Sequence, residues 1–176
     1  MSDLKHEISV APVIGSLLWL VIAPGSVAVL LPWLLSEWEV RPSFLGLDAS
    51  RWLGWLLILL GVSGLIEAFT RFAFYGRGTP APYMLTERLV ITGSYRYVRN
   101  PMYIAILSIV LGQALILGQS VLLAYVLAVW VGFQVFVLFY EEPSLSRRYG
   151  HQYENYCSAV KRWWPRVKPW SGDASG

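Results

Sequence analysis

Residues 93–103 read GSYRYVRNPMY and run straight into IAILSIVLGQALIL at 104–117. Two arginines, three tyrosines and an Asn-Pro pair therefore stand at the mouth of an apolar run. Asn is a preferred helix N-cap and Pro a preferred first helical residue, so Asn100-Pro101 predicts a helix start. A helix start also turns free N–H groups and the positive end of a dipole toward an anion. Arg99 strengthens that field, and Arg96 adds to it if the loop brings it near. Three roles compete for this cluster: a lipid-headgroup anchor, a cap with no further duty, and a binding site for a charged small molecule.

The composition around it sets the fold class. Of 176 residues, 56% are hydrophobic, 15% aromatic and 14% charged, and the mean hydropathy is +0.50. Soluble domains carry about 25% charged residues, so this chain has too few to cover a globular surface. Apolar segments at 13–35, 52–69, 101–117 and 120–140 approach the roughly 20 residues that cross a bilayer. They are expected as helices, because a lone strand in lipid leaves its backbone unpaired. The fold expected is all-α integral membrane, with about four transmembrane helices. Pro24-Gly25 predicts a kink in the first, and Gly118-Gln119 a tight antiparallel hairpin between the third and fourth. Cys157 is the single cysteine, which excludes an intramolecular disulfide and a cysteine-based metal site. His6 and His151 form no zinc pattern, so no metal is expected. A net charge of +3 gives no reason to expect nucleic acid. The N-terminal MSDLKHEISV has acids and no basic region ahead of a cleavable apolar core, so no signal peptide is expected.

Charge placement predicts orientation. Residues 37–51 hold Glu37, Glu39 and Asp48 against Arg41 and Arg51. The loop after the second span holds Arg71, Arg77, Arg88, Arg96 and Arg99 against Glu87. The tail holds Arg147, Arg148, Lys161, Arg162, Arg166 and Lys168. An excess of Lys and Arg marks the cytoplasmic side, which predicts both termini inside and the basic loop and tail on one face.

That face also carries acids. Pro143 is expected to end the fourth span, leaving Glu141 and Glu142 in its last turn, where the dipole disfavours them. Arg147 and Arg148, plain solvation, or a cationic ligand are the candidates to compensate. Leu145, Tyr149, Tyr153, Tyr156, Val160 and Trp163 recur at helical spacing and predict an amphipathic C-terminal helix, either an anchor or a lid beside the acids. Glu67, four residues before Arg71, predicts an ion pair. An anion-binding helix start and a cation-seeking acid pair on one face suit a ligand of mixed charge.

Three blocks carry a resemblance: GRGTPAP at 76–82, RLVITGSYRYVRNPMY at 88–103 and EEPSLSRRYGHQYENYCSAVKRWWP at 141–165. Together they resemble the isoprenylcysteine carboxyl methyltransferase family in its broad sense, which includes phospholipid N-methyltransferases. The likeness covers roughly 50–166 of a single domain spanning 1–176, with 13–35 as an extra N-terminal span and 167–176 as a disordered tail. It implies S-adenosylmethionine as methyl donor, S-adenosylhomocysteine as product, and a lipophilic acceptor reached through the membrane: an isoprenylcysteine-like carboxylate, a thiol or a lipid amine. The site would face the cytoplasm, in the inner membrane if the source is bacterial. The family pattern carries over to Gly93, Tyr95, Arg96, Arg99, Pro101, Tyr103, Glu141 and Glu142; Asn100 joins them as a cofactor-binding candidate, with Leu89 and Val90 as candidate walls for the adenine. Catalytic roles would fall to Glu141, Glu142 and Arg99. Better-known members carry His where Asn100 stands and commonly Gly where Ala105 stands; Asn keeps hydrogen bonding but does not titrate near neutrality. The alternatives are an NADPH-dependent membrane reductase of the steroid-reductase type, which has a similar Arg-His-Pro-Asn-Tyr element, and a non-catalytic membrane scaffold. Met102, Ile104 and Ala105 depart from the reductase pattern.

Overall fold

The structure, a computed structural model, describes residues 22–46, 48–75 and 89–172. All regular structure among them is helical. Helix α1 (Ile22–Ser36) contains a π-turn at Ser26–Leu30, and α2 runs Ala49–Tyr75. A 3-10 turn at Gly93–Arg96 leads to α3 (Pro101–Leu117), followed by α4 (Ser120–Phe136). A second π-turn, Val137–Glu141, joins α4 to α5 (Glu142–Tyr149), and α6 covers His151–Ala159. Among the described residues two helices are long and apolar enough to cross a membrane, Ala49–Arg71 and Ser120–Tyr149; Ile22–Ser36 and Pro101–Leu117 are shorter apolar helices. The part of the first predicted span before residue 22 and the GRGTPAP block lie outside the described residues.

Small residues bring α2 and α3 together. A Cβ on Gly54 would lie 2.7 Å from the Gly112 carbonyl oxygen, and one on Gly112 2.6 Å from that of Gly54. Two turns along, a Cβ on Gly61 would lie 2.7 Å from the Ala105 carbonyl oxygen. The pairs 54 with 112 and 61 with 105 define an antiparallel crossing in which backbones touch. Such close approach is how apolar helices associate where lipid offers no hydrophobic drive. Around this seam Ile106, Ile109 and Val110 pack on Ala28 of α1, with Tyr125 and Phe133 from α4. The outward faces stay apolar, with Trp52, Leu59, Leu127 and Val131 exposed. A face of that kind is at home in lipid.

The π-turn in α1 runs up to Pro32, which has no N–H to give the Ala28 carbonyl four residues before it. A wider turn leaves carbonyls without their usual i+4 donors. Side chains from the neighbours supply donors: Tyr125 Oη donates to the Val27 carbonyl at 2.9 Å and Gln113 Nε2 to that of Ala28 at 2.7 Å.

One end of the bundle is closed by the predicted hairpin. Gly118 ends α3 at φ 66, a left-handed conformation suited to glycine, and a side chain there would strike the Pro42 carbonyl. Arg41 N–H donates to the Leu117 carbonyl at 2.8 Å, and the buried Gln119 amide donates to the Glu39 carbonyl at 3.0 Å.

Two sequence expectations are corrected at the other end. Pro143 does not stop the fourth apolar helix, which continues as a polar extension to Tyr149. The π-turn before it and its place in the first turn of α5 remove the need for its missing N–H. Nor is the C-terminal amphipathic segment one helix. Gly150, at φ 50 and ψ −129, breaks it between α5 and α6, and Trp163 lies beyond the end of α6. The stripe survives the break as a cluster: Tyr153, Tyr156 and Val160 are buried, with Leu145 and Tyr149 against them.

Candidate functional site

The loop from Leu89 to Asn100 is held from three sides. Against α2, the Glu67 carboxylate takes the Arg71 Nε at 2.5 Å, the Ser94 hydroxyl at 2.5 Å and the Ser94 N–H at 3.3 Å. The Glu67–Arg71 pair is the one the spacing predicts, but the serine makes it a post for the loop. Gly93 lies over this post at φ 56, and a Cβ there would run into Arg71 and Glu67. Val90 and Tyr95 are buried with Ala68 of α2, so both side chains pack in the core. Leu89 packs instead on the Tyr153, Tyr156 and Val160 cluster.

From α6, the Tyr156 hydroxyl donates to the Tyr95 carbonyl at 2.7 Å. Burial holds the Tyr156 phenol above its usual pKa, and burial does the same for Tyr95 and Tyr153.

The third support is the strap that follows α6. Arg99 N–H donates to the Lys161 carbonyl at 3.0 Å, Arg166 N–H to the Tyr97 carbonyl at 2.9 Å, and Trp170 N–H to the Arg96 carbonyl at 2.9 Å. Arg96 returns the contact, its Nε donating to the Trp170 carbonyl at 2.7 Å. Its guanidinium is thus turned to the strap. Trp170 belongs to the stretch expected as tail, yet its ring also lies 5.6 Å from that of Tyr156.

Asn100 occupies the N-cap position and Pro101 the first turn of α3, as expected, but the Asn100 side chain caps nothing. It is buried, and Nδ2 donates to the Arg162 carbonyl at 3.3 Å. The Asn100 carbonyl accepts the Ile104 N–H at 3.2 Å, which starts the helix.

The two acids meet this assembly. The π-turn Val137–Glu141 brings Glu141 to Tyr103, whose hydroxyl donates to Oε2 at 2.8 Å. Tyr103 is itself stacked on Phe133 with centroids 4.5 Å apart. Glu142 is gripped by Arg162, Nε to Oε1 at 2.7 Å and Nη2 to Oε2 at 2.9 Å, a two-point fork. Arg99 Nη1 reaches the same Oε1 at 3.1 Å and lies 2.7 Å from Cys157 Sγ. The hydrogen bond to Glu142 raises the Arg162 pKa further. The compensating cations are therefore Arg162 and Arg99. Arg147 and Arg148, the local candidates, do not reach the acids: Arg147 donates to the Pro143 carbonyl, and Arg148 lies over the Tyr149 ring. The dipole conflict also disappears, because the helix runs on past both acids to Tyr149 and they do not sit at its C-terminal end.

The start of α3 and the π-turn after α4 are thus in direct contact at one end of the bundle. The profile of the phospholipid methyltransferase family matches residues 49–152, more than half the chain, and spans every helix that builds this contact. The chain belongs to the phospholipid methyltransferase family. It is a membrane protein of methyltransferase type. No curated protein and no solved structure matches it. In this methyltransferase the matched segment ends at Gln152, so α6 from Tyr153 and the whole strap lie beyond it.

Sequence reasoning missed Arg162, Ser94 and Trp163 as members of the cluster. Trp163 Nε1 donates to Gln134 Oε1 at 2.6 Å, and its ring lies 6.5 Å from that of Tyr103. The available signal was the Trp-Trp-Pro at 163–165, which forbids the helix from carrying Arg162 onward into solvent.

Proposed function

We propose that the methyltransferase uses S-adenosylmethionine as methyl donor, held between the 89–103 segment and Glu141-Glu142, and methylates a lipophilic acceptor. The observation that carries this reading is the contact of the α3 start with Glu141-Glu142, where Arg99 keeps a buried Nε without a hydrogen-bond partner, a state that Arg51 Nε shares far from the acids. Leaving a buried charged donor unpaired costs about 1–3 kcal/mol or more, and a carboxylate beside Arg99 would remove that cost. The site residues fit the donor in kind. Arg99 and the helix start suit its carboxylate, and the acid pair, through Glu141, suits its ammonium and sulfonium.

When bound, the donor supplies an electrophilic methyl group whose departure leaves a neutral thioether. The chain's part is alignment and exclusion of water. Tyr103, Phe133 and Trp163 wall the Glu141 side with rings. Neither acid is free to act as a base, since Glu141 is bonded to Tyr103 and Glu142 to two guanidinium groups. His151 is exposed and paired with Glu154. An acceptor that arrives ionised, a thiolate or carboxylate, needs no base; a lipid amine must arrive deprotonated.

The topology proposed has four spans, both termini inside and the site at the cytoplasmic face, of the inner membrane if the source is bacterial. The positive-inside rule supports it, because Arg96, Arg99, Lys161, Arg162 and Arg166 all lie at the same end of the bundle as the acids.

Thermal melting in detergent tests the donor assignment. S-adenosylhomocysteine at about 100 times its Kd should stabilise the protein by about 2.7 kcal/mol, and NADP should not. Stabilisation by NADP alone would replace this reading with the reductase. Glu142→Gln and Arg99→Ala should each weaken the response without unfolding the protein, whereas Arg51→Ala, at the other end, should leave it intact. Membranes incubated with labelled donor identify the acceptor.

A further inference from the structure

Two guanidinium groups share one carboxylate at Glu142. Arg162 takes both oxygens at 2.7 and 2.9 Å, while Arg99 touches only Oε1, at 3.1 Å. The fork of Arg162 is the better match to a carboxylate, and it satisfies the charge of Glu142 by itself. Arg99 is left with one shared contact, a thiol neighbour and a buried Nε with nothing to donate to. The one carboxylate of Glu142 thus meets two guanidinium groups and is saturated by the first, so hydrogen-bond donors are held over at Arg99.

Arg162 is fixed in this role by its backbone. The carbonyls of Lys161 and Arg162 accept from Arg99 N–H and Asn100 Nδ2. Arg166 Nη1, donating to the Ala159 carbonyl at 2.8 Å, closes the turn on the other side. The strap thus delivers Arg162 to Glu142 in register with the residue whose donors are spared. It does so from outside the segment the family profile matches.

We infer that Arg162 is a positioning residue for recognition of the donor's carboxylate: by occupying Glu142 it keeps Arg99 available to a second carboxylate. The inference rests on the proposed donor and adds a residue and a division of labour to it. Without Arg162, Glu142 has Arg99 as its only cation and draws it into a full pair. The site then loses the spare donors of Arg99, and with them the preference for a ligand that carries a carboxylate.

The test compares two ligands on the full chain in detergent by titration calorimetry: S-adenosylhomocysteine and its decarboxylated analogue. The wild-type protein should prefer the first by about 10-fold or more, the worth of a charge-assisted hydrogen bond. In Arg162→Ala the affinity for S-adenosylhomocysteine should fall toward that of the analogue, with the analogue's own affinity nearly unchanged. Arg162→Lys keeps the charge without the fork and should fall between. It also keeps the test alive if the alanine variant does not fold. A purely structural strap gives equal losses for both ligands, and an unchanged ratio in both variants overturns the inference while leaving the donor assignment standing. Wild-type binding of S-adenosylhomocysteine without discrimination overturns it as well. Failure of the wild-type protein to bind either ligand removes the donor assignment and this inference together.

Discussion

Ser94 Oγ donates to Glu67 Oε2 at 2.5 Å, across 27 residues of chain. The serine sits in the 3-10 turn that opens the site loop, and the glutamate sits in the helix that packs closest to α3. An acid inside an apolar helix is expected to have work to do. Here its work is mechanical: it is the point at which the loop bearing Arg96 and Arg99 is fastened to the bundle.

Breaking that fastening should loosen the loop rather than the fold. Ser94→Ala and Glu67→Gln should each lower stability by about 1–2 kcal/mol, in line with hydrogen bonds to a charged group. The double variant should cost little more than the worse single one, because both remove the same contact. Melting temperatures of the four proteins give the coupling. Full additivity would show that the two residues act independently.

Gly93 and Gly132 make a matched pair of glycines with opposite expectations. At Gly93 the backbone is left-handed and the space above it is filled by Glu67 and Arg71. Gly93→Ala should cost about 1–2 kcal/mol from the backbone alone, and more as the ion pair is pushed aside. Gly132 lies within α4 with nothing within 4 Å of a Cβ. Gly132→Ala should be neutral or stabilising by up to about 1 kcal/mol. Equal effects at the two positions would contradict the geometry of the loop.

The sequence made the helices and the meeting of the two charged segments legible, because both follow from local chemistry. Apolar runs, Asn100-Pro101 and Gly118-Gln119 mark α3 and its hairpin directly. Boundaries were less legible. Helix α2 runs Ala49–Tyr75 where apolarity suggested 52–69, since Arg51, Thr70 and Arg71 are good enough helix residues to extend it past the grease. Hydropathy marks the bilayer, not the helix. Pro143 read as a stop because a π-turn leaves no periodic signature, and Gly150 hid inside a stripe that kept its spacing. The partner of Glu142 could not be found locally at all. Arg162 is 20 residues away, and only the path of the strap selects it over Arg147 and Arg148.

The seam of α2 and α3 predicts where the bundle itself is vulnerable. Gly54 and Gly112 face each other backbone to backbone, and a methyl group on either would meet the opposite carbonyl as well as an isoleucine side chain. The helices must then separate, which thins contact along the whole seam. Gly54→Ala and Gly112→Ala should each destabilise by about 1–3 kcal/mol, the usual cost of overpacking. The second substitution should add less than the first, since separation has already occurred. Unchanged melting in both variants would mean that the helices do not meet at these glycines.

Alkaline pH tests the other fastening of the loop, the bond from the Tyr156 hydroxyl to the Tyr95 carbonyl. Burial raises the Tyr156 pKa above its ordinary 10.0, so the folded protein holds this proton more tightly than the unfolded chain. Unfolding above pH 10 then releases a proton, and stability falls as pH rises. Below that value the contribution is complete and does not vary with pH. The melting temperature in detergent should therefore be level up to about pH 9.5 and decline beyond it. Tyr153 and Tyr95 shift the same way and add to the decline. Tyr156→Phe should melt lower at neutral pH by about 1 kcal/mol, the worth of one hydrogen bond, and should decline less steeply above pH 10. A variant curve parallel to the wild type throughout would show that this phenol is not a buried donor, and the loop would lose one of its three supports.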